Sequence, residues 1–182
     1  MIKLVLLDNH DSFTYNLAEL LRHNRKVTFN IVTSESIDME QVSGYDKILI
    51  SPGPGLPEEH SAIFRILKTY GNRKSIFGVC LGMQAIALHF GGRLYNLDKV
   101  VHGQTRNIKT TSAGNKLFSG IPPDFEAGLY HSWAVSQHDF PQDLMITALS
   151  EDGIIMALEH KTLDIRGVQF HPESIMTPFG KG

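Results

Sequence analysis

Only one of the 182 residues is a cysteine, Cys80, so no disulfide can form within the chain and stability must come from its core. A lone thiol fits a reducing compartment, and a cytoplasmic location is expected. Long apolar runs are missing too. Runs such as Leu4 to Leu7 and Ile48 to Ile50 fall far short of the roughly 20 residues that carry a helix across a bilayer. The opening MIKLVLLDNHDSF turns acidic too soon for a secretory leader and reads as a first buried strand. Charge of one sign is absent as well: 17 Lys and Arg stand against 19 Asp and Glu, a net charge of -2. The basic residues are scattered, which leaves no electrostatic footprint for nucleic acid or an anionic membrane. There is no internal repeat, low-complexity tract or Pro/Gly/Ser linker, so one domain spanning residues 1–182 is expected. No H-E-x-x-H occurs, and no Cys/His pair has zinc spacing, so neither metal nor cofactor is expected.

What is present is ordinary in bulk and specific in detail. Apolar residues make up 42% and charged residues 20%, as in an average globular protein. The first half alternates short aliphatic runs with amphipathic stretches. Strands are expected at Ile2 to Leu7, Val27 to Val32, Lys47 to Ser51 and Ser75 to Val79. Helices are expected at Thr14 to His23, His60 to Tyr70 and Leu81 to Phe90, the last stopped by Gly91-Gly92. This alternation predicts an α/β fold with a doubly wound, mostly parallel sheet. The second half reads as short strands: Arg93 to Lys109, Phe125 to Val135, Met145 to Leu149, Ile154 to His160 and Asp164 to Gln169.

The sharpest local signal is Gly78-Val79-Cys80-Leu81-Gly82-Met83-Gln84. A buried strand ends in G-x-C-x-G and a helix begins at once, the shape of a nucleophile elbow with sulfur in place of a serine oxygen. Such a turn strains the cysteine backbone and crowds the residues two before and two after it, which Gly78 and Gly82 accommodate. The thiol then sits at a helix N-terminus, where the macrodipole favours thiolate. The Leu81 N–H is an unpaired first-turn donor open to an oxyanion. Read in isolation, a lone cysteine is as well explained as a small buried hydrophobe.

A thiol nucleophile benefits from a base that a third group orients. His171-Pro172-Glu173 follows the last strand, and in extended chain residues two apart point the same way. Glu173 can therefore hold one imidazole nitrogen while the other faces Cys80. The remaining histidines (10, 23, 60, 89, 102, 131, 138 and 160) read as surface or satisfied core residues. Ser51-Pro52-Gly53-Pro54-Gly55 offers side-chain-free backbone N–H groups at the end of the third strand, or simply a stiff turn. Tyr130-His131-Ser132-Trp133 reads as a substrate contact or a partly buried turn. Ser132 lacks a G-x-S-x-G setting and is rejected as a nucleophile.

Together these segments, with Asp8-Asn9-His10-Asp11-Ser12-Phe13-Thr14-Tyr15-Asn16 and His102-Gly103, resemble the class I (triad) glutamine amidotransferases over nearly the whole chain. The opening is similar to the component II subunits of anthranilate and aminodeoxychorismate synthases. The resemblance implies a flavodoxin-like fold, a Cys80-His171-Glu173 triad and L-glutamine as substrate. It implies glutamine binding by Gly53, Gly55, Gln84, Ser132 and Trp133, and an oxyanion held by the Leu81 N–H with Gly53 or Gly55. It also implies a hetero-oligomer with a chorismate-binding synthase subunit that consumes the ammonia. His10, Leu129 and Trp133 depart from the residues usual in that family, which also commonly continues into a last helix beyond Gly182. A catalytically silent module and a stand-alone cysteine hydrolase are the competing readings.

Overall fold

Ile2–Asp8 forms strand β1, and its five residues from Leu4 to Asp8 are all buried. Such a run needs cover on both faces of a sheet, and the sequence supplies it. Leu4 and Leu6 point to one side, against Leu17 and Ala18 of helix α1 (Thr14–Arg22). Val5 and Leu7 point to the other, toward Ile63, Ile66 and Leu67 of α3 (Ser61–Tyr70) and Met83 and Ile86 of α4 (Leu81–His89). The period-2 alternation of β1 thus feeds two separate apolar layers.

The computed structural model describes residues 1–111 and 116–180. A nine-stranded sheet runs in the order β2-β1-β3-β4-β9-β8-β7-β5-β6. Strands β2 (Val27–Thr33), β1, β3 (Lys47–Ile50), β4 (Ser75–Val79) and β9 (Ile165–Val168) pair in parallel. From β9 onward β8 (Ile155–His160), β7 (Leu144–Ser150), β5 (Leu94–Thr110) and β6 (Asp124–Val135) add antiparallel ladders. The expected parallel α/β half is therefore present, extended by a C-terminal antiparallel half.

One element differs from the sequence reading. A four-residue helix α2 (Met39–Val42) was not expected; Asp38 caps it by accepting from the Glu40 N–H at 2.9 Å. One turn is too short to show a helical period. Strands β5 and β6 run where the sequence places them, over 17 and 12 residues. They form one long ribbon with register shifts between Asn96/Val101 and His102/Gln104, bulges that kink the pair locally.

Helix α4 is buried from Leu81 to Ala87, so it lies within the core and needs a close seat. Gly167 of β9 provides part of it: a Cβ there would stand 2.7 Å from the Met83 Cγ and 2.9 Å from its Cα. Gly167→Val should push α4 off the sheet and cost about 1–3 kcal/mol. A melting temperature several degrees lower, measured by thermal unfolding, is the expected outcome; an unchanged one would mean that the seat is not tight.

Candidate active site

Strand β4 delivers Cys80 to the carboxyl edge of the sheet. Cys80 is the N-cap of α4 and adopts φ 51° and ψ −102°, one of three non-glycine residues at positive φ among those described. A branched or bulky residue reaches this region only under strain, and the surroundings must hold it there. They do so through backbone: the Cys80 N–H donates to the Val168 carbonyl at 2.7 Å, prolonging the β4–β9 ladder by one bond, and the Cys80 carbonyl accepts from the Gln84 N–H at 3.1 Å.

The two flanking residues crowd together as expected, and Gly82 in addition presses on β3. A Cβ at Gly78 would lie 2.4 Å from the Gly82 carbonyl carbon and 2.7 Å from the Met83 nitrogen. A Cβ at Gly82 would meet the Ile50 carbonyl oxygen of β3 at 2.9 Å. Gly78 therefore lets α4 begin at once, and Gly82 lets it settle on the neighbouring strand.

His171 and Glu173 follow β9. Their side chains meet, with His171 Nδ1 2.7 Å from Glu173 Oε1 and both residues buried. The chain between them is not extended, as the sequence predicts, but turns: the His171 carbonyl accepts from the Ser174 N–H at 3.2 Å and from the Thr177 hydroxyl at 2.7 Å. Gly128 of β6 anchors this turn, accepting from the His171 N–H at 3.0 Å and donating to Thr177 Oγ1 at 3.0 Å. Rings of Phe13 and Tyr130 stand edge-on to the imidazole at 5.0 and 4.9 Å. This cage fixes the ring plane.

The electrostatics follow from these neighbours. A carboxylate only accepts, so Nδ1 carries the hydrogen toward Glu173 and Nε2 is the nitrogen left to exchange a proton. Nε2 is buried and makes no hydrogen bond of regular geometry. Burial opposes charge on His171, but Cys80 and Glu173 outweigh it and push its pKa up to about 10. His131 shows the reverse: burial, assisted by nearby His171, pushes its pKa down to about 4. It is therefore a neutral imidazole at pH 7, and neither of its ring nitrogens has a hydrogen-bond partner among the described residues.

In front of Cys80 lies a cleft of about 450 Å³, lined among others by Gly53, Gly55, Leu81, Gln84, Ser132 and Trp133. All six substrate-contact candidates of the sequence thus reach one cleft with Cys80, while His171 and Glu173 are not among its lining residues. Gly53 packs so closely that a Cβ would stand 2.6 Å from Leu81 Cδ2 and 2.8 Å from Asn9 Cβ, and Gly55 has φ +72°. The opening segment serves this loop: Asn9 donates through its backbone N–H to Ser51 Oγ at 3.0 Å and through Nδ2 to the Ser51 carbonyl at 3.1 Å. His10 instead turns outward to an exposed pairing with Glu35 at 2.7 Å. Tyr130 to Trp133 lie within β6 and not in a turn.

Sequence reasoning missed Gln169, which is fully buried with Nε2 3.4 Å from the Cys80 sulfur. The β4–β9 register pairs Val79 with Val168, so Gln169 stands in the next position, beside Cys80. Only knowledge that these distant strands are neighbours could have found it. Among the described residues no group of three or more His, Cys, Asp or Glu side chains is set to hold a metal ion, and no helix is long and apolar enough to cross a membrane.

Residues 5–182 match the family described as glutamine amidotransferase class-I. The chain belongs to this family. A Haemophilus influenzae protein described as a candidate anthranilate synthase component II is 47% identical over 99% of this chain and 92% of its own length. The aminodeoxychorismate/anthranilate synthase component 2 of Bacillus subtilis is 40% identical over 98% of this chain and 91% of its own. Among solved structures, a protein from Thermoplasma acidophilum described as a candidate GMP synthase subunit superposes with a TM-score of 0.88 at 26% identity, covering all of this chain and 89% of that one. This amidotransferase is therefore an enzyme whose α/β architecture is that of its family.

The elbow geometry generates one expectation. Gly82→Val places branched carbons against the backbone of Ile50, so both folding and any Cys80-dependent activity should fall. The check is a melting curve beside a glutaminase assay; wild-type values in both would show that α4 does not need its glycine seat.

Proposed function

We propose that this amidotransferase is a glutaminase subunit in which Cys80 attacks L-glutamine, with His171 as proton carrier and Glu173 as its orienter. The observation that carries the reading is that Cys80 and the glycine loop open on one cleft while the charge-stabilised His171–Glu173 pair stands against the sulfur. The Cys80 sulfur adds to the side-chain carboxamide carbon, and the carbonyl oxygen becomes an oxyanion. Backbone N–H groups of Leu81 and of Gly53 or Gly55 are the donors that meet it. As the tetrahedral adduct collapses, the carbon–nitrogen bond breaks and His171 Nε2 gives its proton to the leaving nitrogen. Ammonia departs and a γ-glutamyl thioester remains. The now neutral Nε2 takes a proton from water as its oxygen attacks the thioester, and glutamate leaves with the sulfur restored as thiolate. Gln84, Ser132 and Trp133 hold the rest of the substrate.

The ammonia goes to a chorismate-using synthase subunit in a hetero-oligomer. The two curated relatives above support this assignment by their names. The Bacillus subtilis name covers both anthranilate and aminodeoxychorismate synthesis, so a subunit shared by tryptophan and folate biosynthesis is the second reading. The Thermoplasma acidophilum likeness, at 26% identity, weighs less than either.

Three outcomes test the proposal. Cys80→Ala should abolish ammonia release from glutamine while leaving the melting temperature near that of the parent; persistent release from the folded variant would remove the nucleophile. His171→Ala should lower kcat by about 10²–10⁴-fold, and by more than Glu173→Ala does, because Glu173 acts only through the imidazole. Steady-state assays with and without a purified anthranilate or aminodeoxychorismate synthase partner, and with chorismate, should show acceleration by that partner. Full activity alone, indifferent to both synthases, would favour a free-standing amidohydrolase.

A further inference from the structure

A second side chain besides His171 reaches the Cys80 sulfur, and its orientation is dictated from some distance away. Gln84 Nε2 lies 2.8 Å from the Trp133 carbonyl oxygen, which can only accept, so the nitrogen end of the Gln84 amide is fixed there. The same nitrogen lies 3.1 Å from the Gln169 amide, which must therefore present its oxygen, Oε1. That leaves Gln169 Nε2 facing Cys80 Sγ at 3.4 Å. A backbone carbonyl on β6 thus decides, through two buried amides, that the sulfur meets a donor and not an acceptor. Gln84 and Gln169 are 4% and 0% exposed, so water does not compete.

An N–H aimed at sulfur favours the thiolate over the thiol, because the anion is much the better acceptor. We propose that Gln169 holds the Cys80 sulfur as an anion directed at the substrate, and that Gln84 is the positioning residue that keeps the Gln169 amide from flipping. The proposal rests on the reading of Cys80 as nucleophile. It also assigns Gln84 a polarity: both of its N–H groups are committed inward, so only Oε1 remains to accept from a substrate N–H in the cleft.

Cys80 is the single cysteine of the chain, so alkylation by iodoacetamide reports on it alone. The ionisable groups around it are His171 with Glu173 behind it, His131 and Tyr130 from β6, and Glu59, which lines the cleft from the turn after Pro57. The midpoint of a pH–rate profile therefore belongs to the Cys80–His171 pair as a whole, and Gln169, being neutral, can move it only through its hydrogen bond. In the full chain, Gln169→Leu should raise the pH of half-maximal alkylation by about one unit, with the plateau rate at high pH changed less than about twofold. Gln84→Met should shift it less and in the same direction. The double variant should shift no further than Gln169→Leu, since Gln84 reaches the sulfur only through Gln169.

A folded Gln169→Leu protein, with parental near-ultraviolet dichroism and an unmoved midpoint, would overturn the proposal. If that variant does not fold, an unmoved midpoint in Gln84→Met does the same. Ammonia release measured on Cys80→Ala separates the two readings. An inactive Cys80→Ala with an unmoved midpoint removes only the Gln169 assignment, whereas an active one removes the nucleophile itself.

Discussion

The close seat of α4 on the sheet is the constraint from which the rest of the site follows. The helix can begin at the residue after β4 only because Gly78 leaves room for the Gly82 backbone, and it can lie flat only because Gly82 and Gly167 leave room for Ile50 and Met83. A single methyl at any of these positions would contact backbone or near-backbone atoms, which cannot swing aside as the end of a long side chain can. With α4 seated, Cys80 has no freedom: its nitrogen is tied to Val168 and its carbonyl to Gln84. The strained φ is thus sustained by ladder hydrogen bonds and core packing on both sides, and not by any property of cysteine.

The β4–β9 ladder has a second consequence. Because the strands run parallel and in register, whatever follows β9 emerges beside whatever follows β4. Gln169 comes out next to Cys80, and two residues later His171 begins the turn that Gly128 and Thr177 clamp to β6. Half the chain separates Cys80 from His171 in the sequence, yet a two-strand register brings them together. The Phe13 ring, from the opening segment, completes the cage. The cleft is therefore lined from the carboxyl ends of β3 and β4 together with β6, the place where open parallel sheets gather their ligands.

Charge in this setting is arranged by burial and by neighbours in opposition. His171 is buried, which works against its cation, but it stands between a carboxylate and a sulfur that together hold the charge. His131, also buried but without such partners, stays neutral, and the nearby His171 reinforces that. Two neighbouring histidines thus differ in charge for reasons that lie wholly in what surrounds them. A buried pair of this kind adds little net stability compared with apolar packing, but losing one partner strands the other.

Much of this was legible in the chain itself. The parallel half follows from aliphatic runs alternating with amphipathic helices, and Ser75–Val79 and Leu81–His89 fall where the pattern places them. The G-x-C-x-G turn was readable because its constraints are local: a strand, a helix and two absent side chains within five residues. His171 and Glu173 were readable as a pair for the same reason, though the turn that brings them together was not. What the sequence could not contain was the neighbour relation of β4 and β9, and with it the place of Gln169 at the sulfur and the direction in which its amide points. Nor could it yield the opposite charges of His131 and His171. Local geometry is written in adjacent residues, whereas register, burial and the polarity of a hydrogen-bond chain depend on contacts between segments far apart, which exist only once the sheet has closed.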